Sequence, residues 1–302
     1  MVSIITVNFN NHQVTLELLA SIERLHRTDL QVIVVDNGSR VNPEKSFTEK
    51  FPWVTFVRSE ENLGFAGGNN LGIKHAIGNY LFFVNNDTEF KEDFLDRFKT
   101  VLDKHPRIGI LCPLLYYYQS GQVQYAGYTP LNRITGRNEC LTEIQMMNFE
   151  GLVETSYAHG AAMMMRRSAL EQVGPMSENY FLYYEEYDWC EHFRKAGFSM
   201  VVDTQSPFFH KESQTVGPIG ELKSYFLTRN RILFMRRNVP AFFLALFWIY
   251  FLFMATPGKL FNYLWRREFL NIRAHMEGIW WNFRFPTFSD HLGYKFNHLR
   301  KA

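Results

Sequence analysis

The chain has 302 residues, with 32 Lys and Arg against 30 Asp and Glu for a formal net charge of +2. That length supports one large domain or two modest ones, and so even a charge excludes a whole-protein polyanion binder, so no nucleic-acid partner is expected. A 46% hydrophobic and 21% charged composition excludes disorder, and three cysteines without paired spacing (Cys112, Cys140, Cys190) exclude a disulfide framework and fit a reducing compartment.

Residues 2–7 form a β-branched run with no basic segment before it, which predicts a buried strand rather than a signal peptide. Residues 14–25 have helical spacing; 31–35, 54–57 and 80–84 read as further strands, with a helix-like stretch at 69–77. Repeated strand–helix alternation predicts a mostly parallel, Rossmann-like sheet flanked by helices, with ligands beyond the carboxyl ends of the strands. Those ends are polar: Asn8 and Asn10, then Asp36-Asn37-Gly38-Ser39, then Asn85-Asn86-Asp87.

Each polar end has two readings. Asp36 can accept from a ribose hydroxyl or a pyrimidine N–H, or it can be turn chemistry. The glycine-rich stretch from Asn62 to Asn70, containing Gly67, Gly68 and Asn69, can lead into a helix whose N-terminus meets a phosphate, or it can be a simple loop and cap. It lacks the ending of a P-loop and the glycine spacing of a dinucleotide fingerprint. Asn85, Asn86 and Asp87 can hold a divalent cation, with His210 as a further ligand, or Asn86 or Asp87 can cap a helix over 89–105.

The region 108–153 shows no sustained period and reads as an excursion over the sheet. A strand over 159–165 and a helix at 167–173 follow, and then Glu185, Glu186 and Asp188 crowd the start of another helix beside Tyr183, Tyr184, Tyr187 and Trp189. The macrodipole accounts for one or two of these carboxylates, whereas the aromatic setting would desolvate one and make it a better base.

Charge is polarised along the chain. Residues 1–220 hold 19 basic and 26 acidic side chains, and 221–302 hold 13 and 4 together with 21 of the 50 aromatic residues. Residues 241–256 are almost unbroken apolar, bounded by Pro240, Pro257 and Gly258 and flanked by Arg236, Arg237, Lys259, Arg266 and Arg267. Sixteen helical residues would reach about 24 Å against a bilayer core of about 30 Å. The stretch is therefore expected to lie on or dip into a membrane, with Trp265, Trp280 and Trp281 as an interfacial belt, the rival being a buried core helix. Two regions are expected: an α/β sheet domain that carries the candidate site residues over 1–220 and a helical membrane-associating region over 221–302.

In their order these segments resemble the family 2 glycosyltransferases of GT-A fold, in particular the rhamnosyltransferase-like branch, from Val2 to about Ser213. The resemblance implies an inverting transferase that moves a sugar, rhamnose-like by analogy, from a nucleotide-diphosphate donor to a hydroxyl of a glycan or lipid-linked acceptor in cell-surface polysaccharide synthesis. Thr6, Asn8 and Asp36 would hold the nucleoside, with Gly67, Gly68 and Asn69 near the donor. Asn85, Asp87 and His210 would bind Mg²⁺ or Mn²⁺. Glu186 would be the general base, with Glu185 and Asp188 beside it. Asn85 stands where the family has Asp, which lowers the ligand charge, and Glu186 stands for Asp, which lengthens the base by one methylene. The protein is expected in the cytoplasm on the inner face of the membrane. Two rivals are a nucleotide-sugar-binding protein that has lost turnover and a nucleotidyltransferase, the latter lacking its basic, glycine-rich pyrophosphate loop.

Overall fold

The computed structural model describes residues 1–142, 151–211 and 220–293. Ser213, at the far edge of the resembling stretch, and residues 143–150 of the expected excursion lie outside them.

The elements run β1 (Val2–Asn8), α1 (His12–Glu23), β2 (Leu30–Asn37), α2 (Glu44–Thr48), β3 (Val54–Ser59), α3 (Gly64–His75), β4 (Tyr80–Val84), β5 (Thr88–Glu89), α4 (Leu95–Lys104) and β6 (Ile108–Tyr117). They continue with β7 (Val123–Tyr125), β8 (Leu152–Thr155), β9 (Ala162–Arg166), α5 (Arg167–Val173), α6 (Glu185–Lys195), β10 (Ser199–His210), α7 (Glu221–Asn238), α8 (Ala241–Tyr250), α9 (Thr256–Trp265) and α10 (Phe269–Arg284). One sheet has the order β3-β2-β1-β4-β9-β6-β10-β5, with β7 on β6 and β8 on β10. Strands β1 to β4 are parallel, β9 runs antiparallel between β4 and β6, and β10 lies parallel to β6. The sheet is thus mixed, and its register brings the polar ends together: Asn8 pairs with Asp36, and Asp36 with Arg58.

Two helix starts differ from the sequence expectation. The helix expected at 69–77 begins at Gly64, so Gly67, Gly68 and Asn69 lie inside its first two turns. The helix expected over 89–105 begins at Leu95, so neither Asn86 nor Asp87 caps it. Phe90 and Phe94 lie in that interval and pack with Phe82, Phe98 and Phe208, so burying rings outweighs continuing the helix.

Much of the remaining aromatic content lies in the C-terminal helices. Pro257 and Gly258 do not end the apolar helix: a π-type wide turn at Phe251–Ala255 shifts the backbone ladder just ahead of the proline, and one helix runs Ala241–Trp265. At 25 residues it reaches about 37 Å, and its apolar window has a mean hydropathy of 1.8 with 17% of the window buried. Among the described residues it is the one helix long and apolar enough to cross a membrane. Phe242, Phe253, Met254, Phe261 and Trp265 are exposed, as are Phe269, Trp280 and Phe283 of α10. Trp281, expected in the interfacial belt, is instead buried and donates its indole N–H to the His291 carbonyl at 2.8 Å. Helix α7 begins at Glu221 and is largely interior, with Arg229 and Asn230 fully buried.

Candidate active site

A cavity of about 620 Å³ opens at the carboxyl ends of β1 and β4. Asn85, Asp87, Asn69, Glu185, Glu186 and His210 all line it, so the structure brings these six expected residues together.

Under it lies a polar floor. Asn86 donates to the Thr15 hydroxyl at 3.0 Å, Thr15 to the Asn8 amide oxygen at 2.9 Å, and Asn8 to Asp36 at 2.8 Å. Asp36, wholly buried, also accepts from Ser39 at 2.6 Å and from Arg58 at 2.7 Å. Its carboxylate is satisfied within the protein, and Thr6, Asn8 and Asp36 are not among the lining residues. They sit beneath the cavity. The Thr6 hydroxyl is buried without a partner.

Gly67 and Gly68 do not line the cavity either. A side chain on Gly68 would meet Val7 of β1 at 2.9 Å, so this glycine serves helix-to-sheet approach, whereas one on Gly67 would meet Leu63, at the start of the same helix, at 2.7 Å. Gly64, by contrast, lines the cavity. Its φ of +72° suits glycine, and a Cβ there would lie 2.2 Å from the Phe181 carbonyl oxygen. Asn37 clamps this corner, donating to the Asn62 side chain and the Gly64 carbonyl and accepting from the Leu63 N–H.

The opposite wall is built from strained backbone. Phe181, Tyr183 and Tyr184 have φ of +66°, +70° and +75°, directly before Glu185 and Glu186 at the start of α6. Such conformations cost about 1–3 kcal/mol each and persist where the surroundings over-determine them. Asn230 of α7 does so here: its amide reaches the carbonyls of Tyr180, Leu182 and Tyr183 at 2.9, 2.7 and 2.9 Å. The Phe65 N–H holds the Phe181 carbonyl at 2.7 Å.

What this wall presents is unsatisfied. One carboxylate oxygen of Glu185 and one of Glu186 are buried without a hydrogen-bond partner. Desolvation raises both carboxyls, Glu186 to about 7, and the neighbouring Glu186 charge raises Glu185 further. Asp188, by contrast, points away into Ser177, Tyr180 and Asn238 at 2.7, 3.0 and 2.7 Å, with Arg237 at 3.4 Å. It anchors α6 to α7 and does not line the cavity.

On the far side Asp87 Oδ1 stands 3.1 Å from His210 Nε2, while His210 Nδ1 lies 2.9 Å from Gln124 Oε1. Which ring nitrogen donates depends on the tautomer and on the Gln124 amide orientation, and either way Asp87 and His210 present a carboxylate oxygen and an imidazole nitrogen side by side at the cavity wall. One carboxylate oxygen and one imidazole nitrogen, with Asn85 lining the same cavity, are a donor set that would suit Mg²⁺ or Mn²⁺. No group of three or more His, Cys, Asp or Glu able to hold a metal occurs among the described residues. His159 adjoins the pair; burial, then the His210 field, lower it to about 3, so it stays neutral and accepts the Ala161 N–H at 3.1 Å.

The family model for glycosyl transferase family 2 matches residues 3–174, more than half of the chain. The chain belongs to glycosyl transferase family 2. Among curated relatives, the low-salt glycan biosynthesis hexosyltransferase Agl10 of Haloferax volcanii is 25% identical over 207 residues, covering 66% of this family 2 chain and 63% of the relative. The N-acetylglucosaminyl-diphospho-decaprenol L-rhamnosyltransferase of Mycobacterium tuberculosis is 23% identical over 221 residues, covering 66% of this chain and 72% of the relative. Agl10 is thus matched over somewhat less than two thirds of its length. Solved structures share the GT-A fold: GalNAc-T7 with UDP, GalNAc and Mn²⁺ has a TM-score of 0.63 at 13% identity, covering 78% of this chain and 48% of that one. S. aureus TarS 1–349 in complex with UDP-GlcNAc has a TM-score of 0.60 at 17% identity, covering 90% and 79%.

The cavity of this family 2 protein also includes residues that the sequence reading did not single out as site residues: Phe65, His159, Gly160, Tyr183 and Lys223. His159 was legible only as the approach to β9. Because β9 pairs antiparallel with β4, it comes in beside Asn85, whose N–H bonds the Ala161 carbonyl at 2.9 Å.

Proposed function

We propose that the protein is an inverting glycosyltransferase acting at a membrane surface, with Glu186 as the general base. The observation that carries this reading is the pair of desolvated, unpartnered carboxylates facing the same cavity as Asp87 and His210. Asp87 and His210, with Asn85, would hold Mg²⁺ or Mn²⁺, which offsets charge on the leaving diphosphate when bound. Lys223 stands in the same cavity as a further positive charge for that group.

In the proposed reaction the acceptor hydroxyl oxygen attacks the anomeric carbon from the side opposite the diphosphate. The new carbon–oxygen bond forms as the bond to diphosphate breaks, the diphosphate leaves with that electron pair, and the hydroxyl proton passes to a Glu186 carboxylate oxygen. The anomeric configuration inverts. The donor is a nucleotide-diphosphate sugar, in keeping with the UDP-GlcNAc named in the TarS complex. A rhamnose-like sugar and a lipid-linked acceptor are suggested by the name of the mycobacterial relative. The exposed apolar face of α8 to α10, with Arg266, Arg267, Arg273 and Arg284 beside it, suits an anionic bilayer on the cytoplasmic side.

The test is release of free nucleoside diphosphate from UDP-, dTDP- and GDP-sugars with Mn²⁺ and a membrane extract as acceptor. Acceptor-dependent release supports transfer. Donor binding without release would leave a nucleotide-sugar-binding protein.

A further inference from the structure

A second cavity, of about 200 Å³, lies on the other side of the 183–186 turn: Tyr184 lines it, whereas Tyr183, Glu185 and Glu186 line the first. Arg137, Arg231 and Lys259 enter it from three separate parts of the chain, and no Asp or Glu is among the described residues that line it. Arg231 is 9% exposed, and its Nε is buried without a partner. It spends one Nη2 on the Thr135 carbonyl and leans on the Phe251 ring at 5.1 Å, so no carboxylate neutralises it. Burial of a guanidinium without a counter-charge is expensive, so three cations converging on one cavity suit an anionic group. His275 completes the wall as a neutral hydrogen-bonding group. Burial and then the positive Lys259 and Arg231 lower it to about 3, and its ring nitrogens lie 2.7 and 3.3 Å from the Thr228 and Thr256 hydroxyls.

The roof of this cavity identifies the kind of anion. Phe251 and Ala255 line it from the inner face of the same continuous helix whose outer face exposes Phe253, Met254 and Phe261. An occupant held by the cations therefore packs against the inner side of the helix whose outer side is apolar and exposed, which brings an anionic head next to the element that would meet a membrane. We propose that this cavity seats the phosphoryl or diphosphoryl head of the lipid-linked acceptor, held by Arg137, Arg231 and Lys259. The proposal rests on the reading of the protein as a membrane-surface transferase, and it separates two jobs: one cavity takes the donor, the other anchors the acceptor behind the turn that carries Glu186.

The test uses full-length protein in detergent with farnesyl diphosphate as the probe, followed by calorimetry. R137Q, at an exposed position, and K259Q should each weaken farnesyl diphosphate by about tenfold or more, the scale of one lost charge-assisted hydrogen bond, and leave UDP, dTDP or GDP affinity in Mn²⁺ unchanged. Farnesol and inorganic pyrophosphate should each bind more weakly than farnesyl diphosphate. Pyrophosphate that binds as tightly assigns the cavity to free anions, farnesol that binds as tightly makes the contact merely apolar, and variants that leave farnesyl diphosphate unaffected remove the residues; any of these overturns the proposal. Protein that binds farnesyl diphosphate through these residues yet takes no nucleoside diphosphate upholds the anion site and overturns the donor reading instead.

Discussion

The floor and the wall of the main cavity are opposites. In the floor, Asn86, Thr15, Asn8, Asp36 and Arg58 form an unbroken chain of hydrogen bonds, so the charge of Asp36 is met inside the protein. In the wall, Glu185 and Glu186 each keep an oxygen without a partner, on backbone held at positive φ. A satisfied group has little left to offer a ligand, and an unsatisfied one is held there at a cost to stability. The difference separates residues that keep the cavity in shape from residues that act in it, and both kinds stood at polar strand or helix ends in the sequence.

Substitutions can break that division. Glu186→Gln keeps the volume but cannot take a proton, so the rate of nucleoside diphosphate release should fall by 10²–10⁴-fold, about 3–5 kcal/mol in the barrier, with donor affinity retained. Turnover within threefold of wild type would move the base to Glu185. Asp36→Ala, in the floor, should act on the fold: it leaves the Arg58 guanidinium and the Asn8 amide unmatched, and urea unfolding should register a loss of about 3 kcal/mol. Unchanged stability together with weaker nucleotide binding would show instead that Asp36 reaches the donor.

Smaller effects sharpen the same contrast. Asp87→Ala should weaken nucleoside diphosphate binding by about 10–100-fold in Mn²⁺, judged from the loss seen when even a supporting group of a metal site is removed, and far less in EDTA. Equal loss under both conditions would make Asp87 a direct donor contact or a structural one. The Glu186 carboxyl is raised to about 7, so the base is protonated at lower pH, and the rate should fall about tenfold for each pH unit below that value. The sign for stability is the reverse. Between the ordinary carboxyl value of 4.5 and about 7 the folded state holds this proton more tightly than the unfolded one, so stability declines as pH rises across that window, and Glu186→Gln should flatten the decline. Least in size, Arg266→Gln and Arg267→Gln should each reduce partition onto anionic liposomes by about 1 kcal/mol, and high salt should mimic them. Protein that ignores liposomes of either charge would return the exposed rings to a protein interface.

Much of this was readable along the chain because it is local. Strand β4 and helix α5 coincide with the expected segments, since an apolar run closed by Asn85 and a helix closed by Gly174 carry their own boundaries. The cavity residues Asp87, Glu185, Glu186 and His210 were legible as polar groups that close or open elements. What was not legible depends on distant partners. The destination of Asp188 is set by Asn238 and Arg237, the start of α3 by Phe181, and the passage of the apolar helix through Pro257 by a wide turn that no propensity announces.

The Asn230 clamp dictates an order of assembly. Its three acceptors lie 47 to 50 residues earlier in the chain, so the turn that carries Glu185 and Glu186 must wait for α7. A ribosome adding about 5–20 residues per second exposes the sheet, the cavity floor and the Asp87–His210 pair about 1–4 seconds before that amide emerges. On the proposed function the nascent protein can therefore meet nucleotide before it can aim Glu186. The wall is finished by α7, whose chain runs on directly into the apolar helix, so the cavity is completed only as the exposed apolar surface is being made.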